Sequence, residues 1–129
     1  MQNKQSGFTV LELIIVIAVL IALGTVFFVQ RRDLEVMQRD SDRKTAINAI
    51  YYNLEDVYRP ANRAYPEVIT ADVLKGIDPS LLKDPDGVMI GEEGSNYRYT
   101  PQDCKDSKCA SYELRADLEH EGDFIKFNR

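Results

Sequence analysis

The residues that most often build metal and catalytic sites are scarce in this chain of 129 residues. It has one histidine, His120, and two cysteines, Cys104 and Cys109, which are too few ligands for an ordinary closed structural zinc site. His120 lies within the acidic sequence "EHEGD", and this favours a surface position over a place in a Ser-His-acid triad. A Gly-rich phosphate-binding loop is also missing. The sequence therefore indicates a protein that is not an enzyme, with no expected cofactor.

Acidic residues outnumber basic ones beyond the first 32 residues. The chain has a net charge of −5, and residues 33–129 alone carry −7, because residues 1–32 hold three basic residues against Glu12. So acidic a domain does not favour binding to a phosphate backbone. Arg98, between Tyr97 and Tyr99, could still stack on single-stranded DNA. We favour strand packing for that cluster, so nucleic acid is not an expected partner, although the composition leaves it open.

What the sequence has in abundance is a long apolar run near its start. Residues 8–29 are almost all Ile, Val, Leu, Phe or Ala, and no charge occurs from Leu13 to Gln30. A helix of about 20 such residues crosses the hydrocarbon core of a membrane. The run is longer than the core of a secretory signal, and no A-x-A-like cleavage site follows it. The segment is therefore expected to be retained.

Basic residues lie on both sides of this run. Lys4 precedes it, and Arg31 and Arg32 follow it. By the positive-inside rule, these charges slightly favour a membrane orientation of the segment opposite to the one implied below. Its orientation therefore rests on the resemblance described next.

The stretch "SGFTVLELIIVIAVLIALG" resembles the N-terminus of type IV prepilins and the related pseudopilins. Gly7, Phe8, Thr9 and Glu12 match the family pattern, after a short polar leader and at the start of an apolar helix. The resemblance implies cleavage between Gly7 and Phe8 by a prepilin peptidase on the cytoplasmic side, followed by N-methylation of Phe8. It implies three parts: a leader at 1–7, a transmembrane and filament-core helix at 8–30, and a globular headgroup at 31–129.

The same resemblance implies where the chain lies and what it meets. The headgroup would be outside the cytoplasm, where a disulfide between Cys104 and Cys109 is favoured over a pair of free thiols. The chain would begin as a single-pass protein of the cytoplasmic membrane and end in a surface filament. Its implied partners are identical or related pilin subunits, the prepilin peptidase, and the assembly platform with its ATPase.

Glu12 is an acid near the start of an apolar helix, and three roles are open to it. It could snorkel to the lipid headgroups, interact with the helix dipole, or pair with the α-amine that cleavage creates on Phe8 of another subunit. The resemblance favours the pair, which would neutralise two groups that are each costly to bury alone and would fix the register of adjacent helices. The Pro that many family members carry near the end of the run is missing, and Gly24 is the alternative point of weakness.

The rest of the pattern predicts an α+β fold, a long N-terminal helix packed on a small antiparallel sheet, which resembles the pilin fold. The helix is expected to end at Tyr58, before Pro60, with Arg43 and Glu55 on its polar side. Strands are predicted at 96–100, at 111–119 and within "DFIKFNR", with a loop at 104–109. The apolar side of the helix comprises Ile47, Ile50, Tyr51, Leu54, Val57 and Tyr58, and that of the last strand Phe124 and Phe127.

The sequence therefore predicts a structural subunit of a type IV pilus filament, for which the resemblance implies roles such as adhesion or twitching motility. The alternatives are a pseudopilin of a type II secretion or DNA-uptake system, and a membrane-anchored binding domain that does not polymerise. Some secretion pseudopilins bind calcium. Asp84, Asp86, Glu92 and Glu93 are weak calcium candidates, since they supply oxygen ligands without the spacing of an EF-hand.

Overall fold

The computed structural model describes residues 7–129, so the predicted leader lies outside the described residues except for Gly7. The helical elements are α1 at Val10–Tyr52, a π-helical segment at Asn53–Tyr58, α2 at Arg59–Asn62 and a 3₁₀ turn at Pro79–Leu82. The strands are β1 at Tyr65–Pro66, β2 at Tyr97–Lys105, β3 at Lys108–Ala116 and β4 at Phe124–Phe127. The chain divides into two compact units, Met1–Glu35 and Val36–Arg129, and we call the second the head unit.

The described part of the first unit comprises residues 7–9 and the portion of α1 from Val10 to Glu35, most of which is apolar. Among the described residues, the helical stretch from Val10 to Asn62 is long and apolar enough to cross a membrane. The large apolar side chains from Phe8 to Val29 are all exposed. The helix is unbroken at Gly24, and the Thr25 hydroxyl donates to the Ala22 carbonyl at 2.8 Å. A surface this apolar requires lipid or other protein around it.

The core of the head unit lies between the later part of α1 and an antiparallel sheet. Ile47, Ile50 and Leu54 are fully buried on the helix, and they face a sheet whose inner side includes Tyr112 and Leu114. Strand β3 is central: it pairs with β2 along most of its length, with β1 at one end and with β4 at the other. The predicted α+β fold is confirmed, because a helix with one apolar face and a sheet with one apolar face cover each other.

The end of the long helix differs from the prediction. Helical chain continues to Asn62, and Pro60 lies at the beginning of α2, where the missing proline N–H is tolerated. The preceding turn is π-helical, and the Arg59 N–H bonds to the carbonyl of Leu54, five residues back. This wider turn changes the phase of the helix. As a result, Glu55 is buried and Val57 is 52% exposed, the reverse of the predicted sides.

The hairpin that carries the cysteines is longer than predicted. β2 runs to Lys105 and β3 starts at Lys108, so the connection is two residues rather than a loop over 104–109. Asp106 and Ser107 both have positive φ, at 50° and 60°, as a type I′ turn requires. Cys104 and Cys109 are cross-strand partners and are joined by a disulfide. The bond therefore links the two strands next to their turn.

Strand β4 also corrects the prediction. Side chains alternate between the two sides of a strand, so Phe124 and Phe127, three residues apart, cannot share one side. Phe124 packs against the core, whereas Phe127 is 61% exposed. Ile125 is exposed on the same outer side as Phe127. The head unit thus leaves two apolar side chains of its last strand in contact with solvent.

Candidate functional site

The helix that bears the matched N-terminal residues begins at a capped end. Thr9 lies directly before α1, and its hydroxyl oxygen accepts the N–H of Glu12 at 3.3 Å. The Thr9 carbonyl accepts the N–H of Leu13 at 3.2 Å. A Thr followed three residues later by Glu, directly before an apolar run, is the capping-box pattern. Thr9 thus has a structural role beyond its match to the prepilin pattern, and the T-x-x-E spacing in the sequence is the signal for it.

Phe8 and Glu12 lie on the two sides of this cap. Phe8 is outside the helix and 78% exposed, and Glu12 is in the first turn, also exposed. The unbonded N–H groups at a helix start carry partial positive charge, which favours an acid there. The cap and the dipole therefore account for the position of Glu12 along the helix. They leave its exposed carboxylate available for a cation from outside the chain.

A second feature is a buried carboxylate on the helix of the head unit. Asp40 accepts the backbone N–H of Glu119 at 2.9 Å, the N–H of His120 at 2.8 Å and the Arg43 guanidinium at 2.9 Å. Burial alone would raise the pKa of Asp40, but these donors together hold its pKa below the usual value. Asp40 therefore attaches the segment after β3 to the helix. His120 takes part through its backbone, and its side chain is exposed.

Two arginines complete this ion network. Arg43 is 2% exposed and bonds Glu119 at 2.8 Å, while Arg39 bonds both oxygens of Glu119 at 2.8 and 2.6 Å. The hydrogen bond from Arg39 is the main reason that the pKa of Glu119 falls to about 2. The prediction that Arg43 lies on the polar side was wrong, because its charge is balanced by a residue far along the chain. Only the three-residue spacing of Asp40 and Arg43 hinted at a pair.

We expect this network to make the head unit sensitive to acid. The folded pKa of Glu119, about 2, is below its ordinary value of 4.5, so its contribution is complete above 4.5 and disappears as the pH falls towards 2. Thermal unfolding of wild type and Glu119→Gln over this pH range should show the two proteins converging as acid is added. A difference that stays constant would contradict the assignment.

A third feature is the buried acid that the π-helical turn directs into the core. The Glu55 Oε1 atom accepts the hydroxyls of Tyr65 and Tyr112, both at 2.9 Å, and the N–H of Arg129 at 3.3 Å. Oε2 lies 3.4 Å from the Arg59 guanidinium. Burial, reinforced by the bond to Glu55, raises the pKa of Tyr65 to about 12. The pKa of Tyr112 is raised by the same two causes, so both phenols remain donors at neutral pH.

The four calcium candidates do not form a ligand cluster. Asp84 is buried, and its oxygens accept the backbone N–H of Asp86 at 3.0 Å and of Asn96 at 2.8 Å. Its carboxylate therefore organises the "DPDG" turn. Glu92 and Glu93 are exposed on the loop that follows. Within residues 7–129, no group of three or more His, Cys, Asp or Glu side chains could hold a metal ion.

The Tyr-Arg cluster considered for single-stranded DNA makes its main contacts within the head unit. Tyr97 is 2% exposed, and the half-buried Tyr99 donates its hydroxyl to the Pro66 carbonyl at 2.7 Å. Arg98 bonds Asp117 at 2.6 Å. These contacts agree with the strand packing expected for both rings, of which Tyr97 is buried and Tyr99 is partly exposed.

Comparison with known proteins bears on the first of these three features. A family model described as the prokaryotic N-terminal methylation motif matches residues 2–28, which include Gly7, Phe8, Thr9 and Glu12. The chain therefore carries the leader signature of type IV prepilins, and this indicates a type IV pilin-like or pseudopilin-like protein. No curated protein and no solved structure matches the chain. The match covers about a fifth of the sequence and none of the head unit.

Proposed function

We propose that this chain is a structural subunit of a type IV pilus filament, made as a prepilin and cut between Gly7 and Phe8. The observation that carries the proposal is the methylation motif at the start of a helix whose apolar side chains from Phe8 to Val29 are all exposed. Before assembly, lipid covers this surface. In the filament, the same surface packs against neighbouring helices, so the chain exchanges one apolar environment for another.

Glu12 determines how neighbouring subunits align in the proposed filament. Cleavage creates an α-amine on Phe8, and N-methylation leaves it basic. The amine of one subunit meets the Glu12 carboxylate of the next, and both charges are neutralised as they leave water and headgroups. Because Glu12 lies in the first turn behind the Thr9 cap, its position along the helix is fixed. The pair therefore sets the axial offset between neighbouring subunits.

Processing and assembly of this subunit require other proteins. A prepilin peptidase makes the cut, and the same enzyme transfers the methyl group. An assembly platform extracts the helix from the membrane, with work from a separate ATPase. The disulfide between Cys104 and Cys109 suits a head unit outside the cytoplasm, where thiols are oxidised.

Mass spectrometry of the mature N-terminus tests the proposal directly. We expect the chain purified from its native membrane or filaments to begin at Phe8 and to carry one N-methyl group. A Gly7→Asp variant should retain the leader, because the cleavage site is altered, whereas Gln5→Ala, two residues away, should be processed normally. A mature chain that still begins at Met1 would contradict the proposal.

A pseudopilin of a secretion or DNA-uptake system is the second candidate, because the methylation motif is common to both kinds of protein. Electron microscopy of cells that express the chain separates the two. Long surface filaments that contain the chain support the pilus, and a requirement for secretion or DNA uptake without such filaments supports the pseudopilus. A processed chain that remains monomeric in the membrane would instead indicate an anchored binding domain.

A further inference from the structure

The charge-free stretch of α1, residues 13–30, has a carboxylate near each of its ends. Glu12 precedes the stretch, and Asp33 follows it directly after Arg31 and Arg32. All four charged side chains are exposed on one unbroken helix. At 1.5 Å per residue, the two carboxylates are about 30 Å apart along the axis. The apolar surface of α1 therefore has an acid at both ends.

Glu12 and Asp33 also lie on the same side of the helix. Asp33 follows Glu12 by three heptads. A straight α-helix drifts by about 20° in each heptad, so the two residues are about 60° apart around its axis, and coiling of neighbouring helices brings them into line. Glu35, two residues beyond Asp33, points to the opposite side. A neighbouring helix that contacts Glu12 therefore passes Asp33 as well, but not Glu35.

Asp33 has no cation of its own. Side chains three and four positions apart are neighbours on a helix, and those around Asp33 are the uncharged Val29, Gln30, Val36 and Met37. Within residues 7–129, the Asp33 side chain forms no ion pair and no hydrogen bond. Glu35 differs, since it lies four residues from both Arg31 and Arg39. The Asp33 carboxylate is therefore available to a cation from outside the chain.

Arg32 is the matching cation at this end of the apolar surface. The guanidinium of the preceding residue, Arg31, lies 5.1 Å from the centre of the Phe27 ring, four residues back, because helical side chains lean towards the N-terminus. Arg32 forms no ring contact and no ion pair within the described residues. By the same lean, its guanidinium reaches back about one turn, or about 5 Å, from its own Cα.

The offset that pairs Phe8 with Glu12 brings Arg32 of one copy to Asp33 of another. In the proposed filament, residue 8 of one copy lies level with residue 12 of its neighbour, which is a shift of about 6 Å. Since the Arg32 side chain reaches back by nearly the same distance, its guanidinium returns to the level of residue 32 of the neighbour. There it lies beside the Asp33 carboxylate, on the side that already faces this copy.

We propose that Asp33 is a second ion-pairing site of the filament and binds the Arg32 guanidinium of the copy whose Phe8 amine meets Glu12. This inference rests on the proposed function and adds a contact at the far end of the same helix surface. A second copy fits this site better than a lipid phosphate does, because Asp33 repels an anion. Slippage of one copy by a turn would separate both pairs at once, so together they fix the register more strictly than Glu12 alone.

Exchange of the two charges tests this pair in the full chain. Asp33→Arg and Arg32→Asp should each lower the amount of chain sheared from cells as filaments by about tenfold, because like charges then face each other between copies. The double variant, Asp33→Arg with Arg32→Asp, restores opposite charges and should assemble nearly as wild type does. Mass spectrometry of the membrane fraction verifies that each variant is inserted and begins at Phe8.

A matched control places the second substitution on the opposite side of the helix. Arg32→Asp with Glu35→Arg has the same net charge as the first double variant, and the second altered position is only two residues further on. Because residue 35 faces away from the neighbouring copy, this control should assemble as poorly as Arg32→Asp alone.

The outcomes separate the ion pair from the proposed function. Restoration by the exchange with Asp33, and not by the control, supports the pair. Equal restoration by both double variants would overturn it, since net charge rather than contact would then determine assembly. Wild-type yields in both single variants, or no restoration by the exchange, would also overturn the pair, while filaments of wild type leave the proposed function intact. If wild type forms no filaments, the proposed function itself fails, and the pair that rests on it fails too.

Discussion

Surface filaments should be lost when Glu12 is replaced by alanine, even though the chain is still cut and reaches the membrane. The substitution removes the only carboxylate in the apolar portion of α1 and, in the proposed assembly, leaves each incoming Phe8 amine without its partner. A loss of about 3 kcal/mol per subunit, at the low end for breaking a buried ion pair, lowers the association constant by about a hundredfold. Filament counts by electron microscopy and the amount of chain sheared from cells give the measurement.

Matched variants separate the charge of Glu12 from its other contributions. Glu12→Asp retains the charge on a shorter side chain and should restore part of the assembly. Leu13→Met changes an adjacent exposed residue without altering charge and with little change in volume, so it should assemble nearly as wild type does. Thr9→Val removes the cap and keeps Glu12, so a milder defect is expected, with Thr9→Ser close to wild type. Unchanged filaments in Glu12→Ala would contradict the register role.

The N-terminal part of this protein could be predicted from sequence because its determinants are local. Residues 7–12 form one contiguous motif, and the apolar run that follows is helical as expected. The cap by Thr9 involves residues only three positions apart. Where structure depends on neighbours in sequence, pattern and spacing are sufficient.

The fold of the head unit was predicted correctly, whereas its buried charges were not. Alternating residues on β3 and three-to-four spacing on the helix identified the core, and Tyr112, Leu114, Ile47 and Ile50 are buried as expected. Two of the three partners of Asp40, the N–H groups of Glu119 and His120, lie 79 and 80 residues away. Periodicity along the helix therefore predicts that a charged residue such as Asp40 is exposed. Asp40 is nevertheless buried, because hydrogen-bond donors from the other end of the chain pair with its carboxylate.

The π-helical turn caused the other error, and its consequences reach beyond one residue. Periodicity assumes a constant helical phase, and one wide turn at Asn53–Tyr58 changes that phase for every residue after it. Val57 thereby moves to the surface, and Glu55 moves to the core. Neither change has a local sequence signal, because each is made favourable by the tyrosines that meet Glu55 across the core.

Glu55→Ala should strongly destabilise the head unit. It removes the acceptor shared by Tyr65, Tyr112 and the Arg129 N–H, and leaves buried donors that each cost about 1–3 kcal/mol when unpaired. We expect a loss of about 3–5 kcal/mol in the free energy of unfolding, which lowers Tm by at least about 10 °C for a unit of this size. Thermal unfolding in detergent, followed by the near-ultraviolet circular dichroism of tyrosine, reports on the head unit rather than on the apolar helix.

Two further variants identify the cause of that loss. Glu55→Gln keeps an oxygen acceptor without the charge, so its stability should lie between those of wild type and Glu55→Ala. Glu113→Ala removes a half-buried glutamate that forms no side-chain ion pair or hydrogen bond within residues 7–129, and it should change stability by less than about 0.5 kcal/mol. Equal losses in Glu55→Ala and Glu113→Ala would mean that the hydrogen bonds to Glu55 do not stabilise the fold. A Glu55→Gln variant as unstable as Glu55→Ala would instead show that the negative charge is essential, since the neutral acceptor would then contribute nothing.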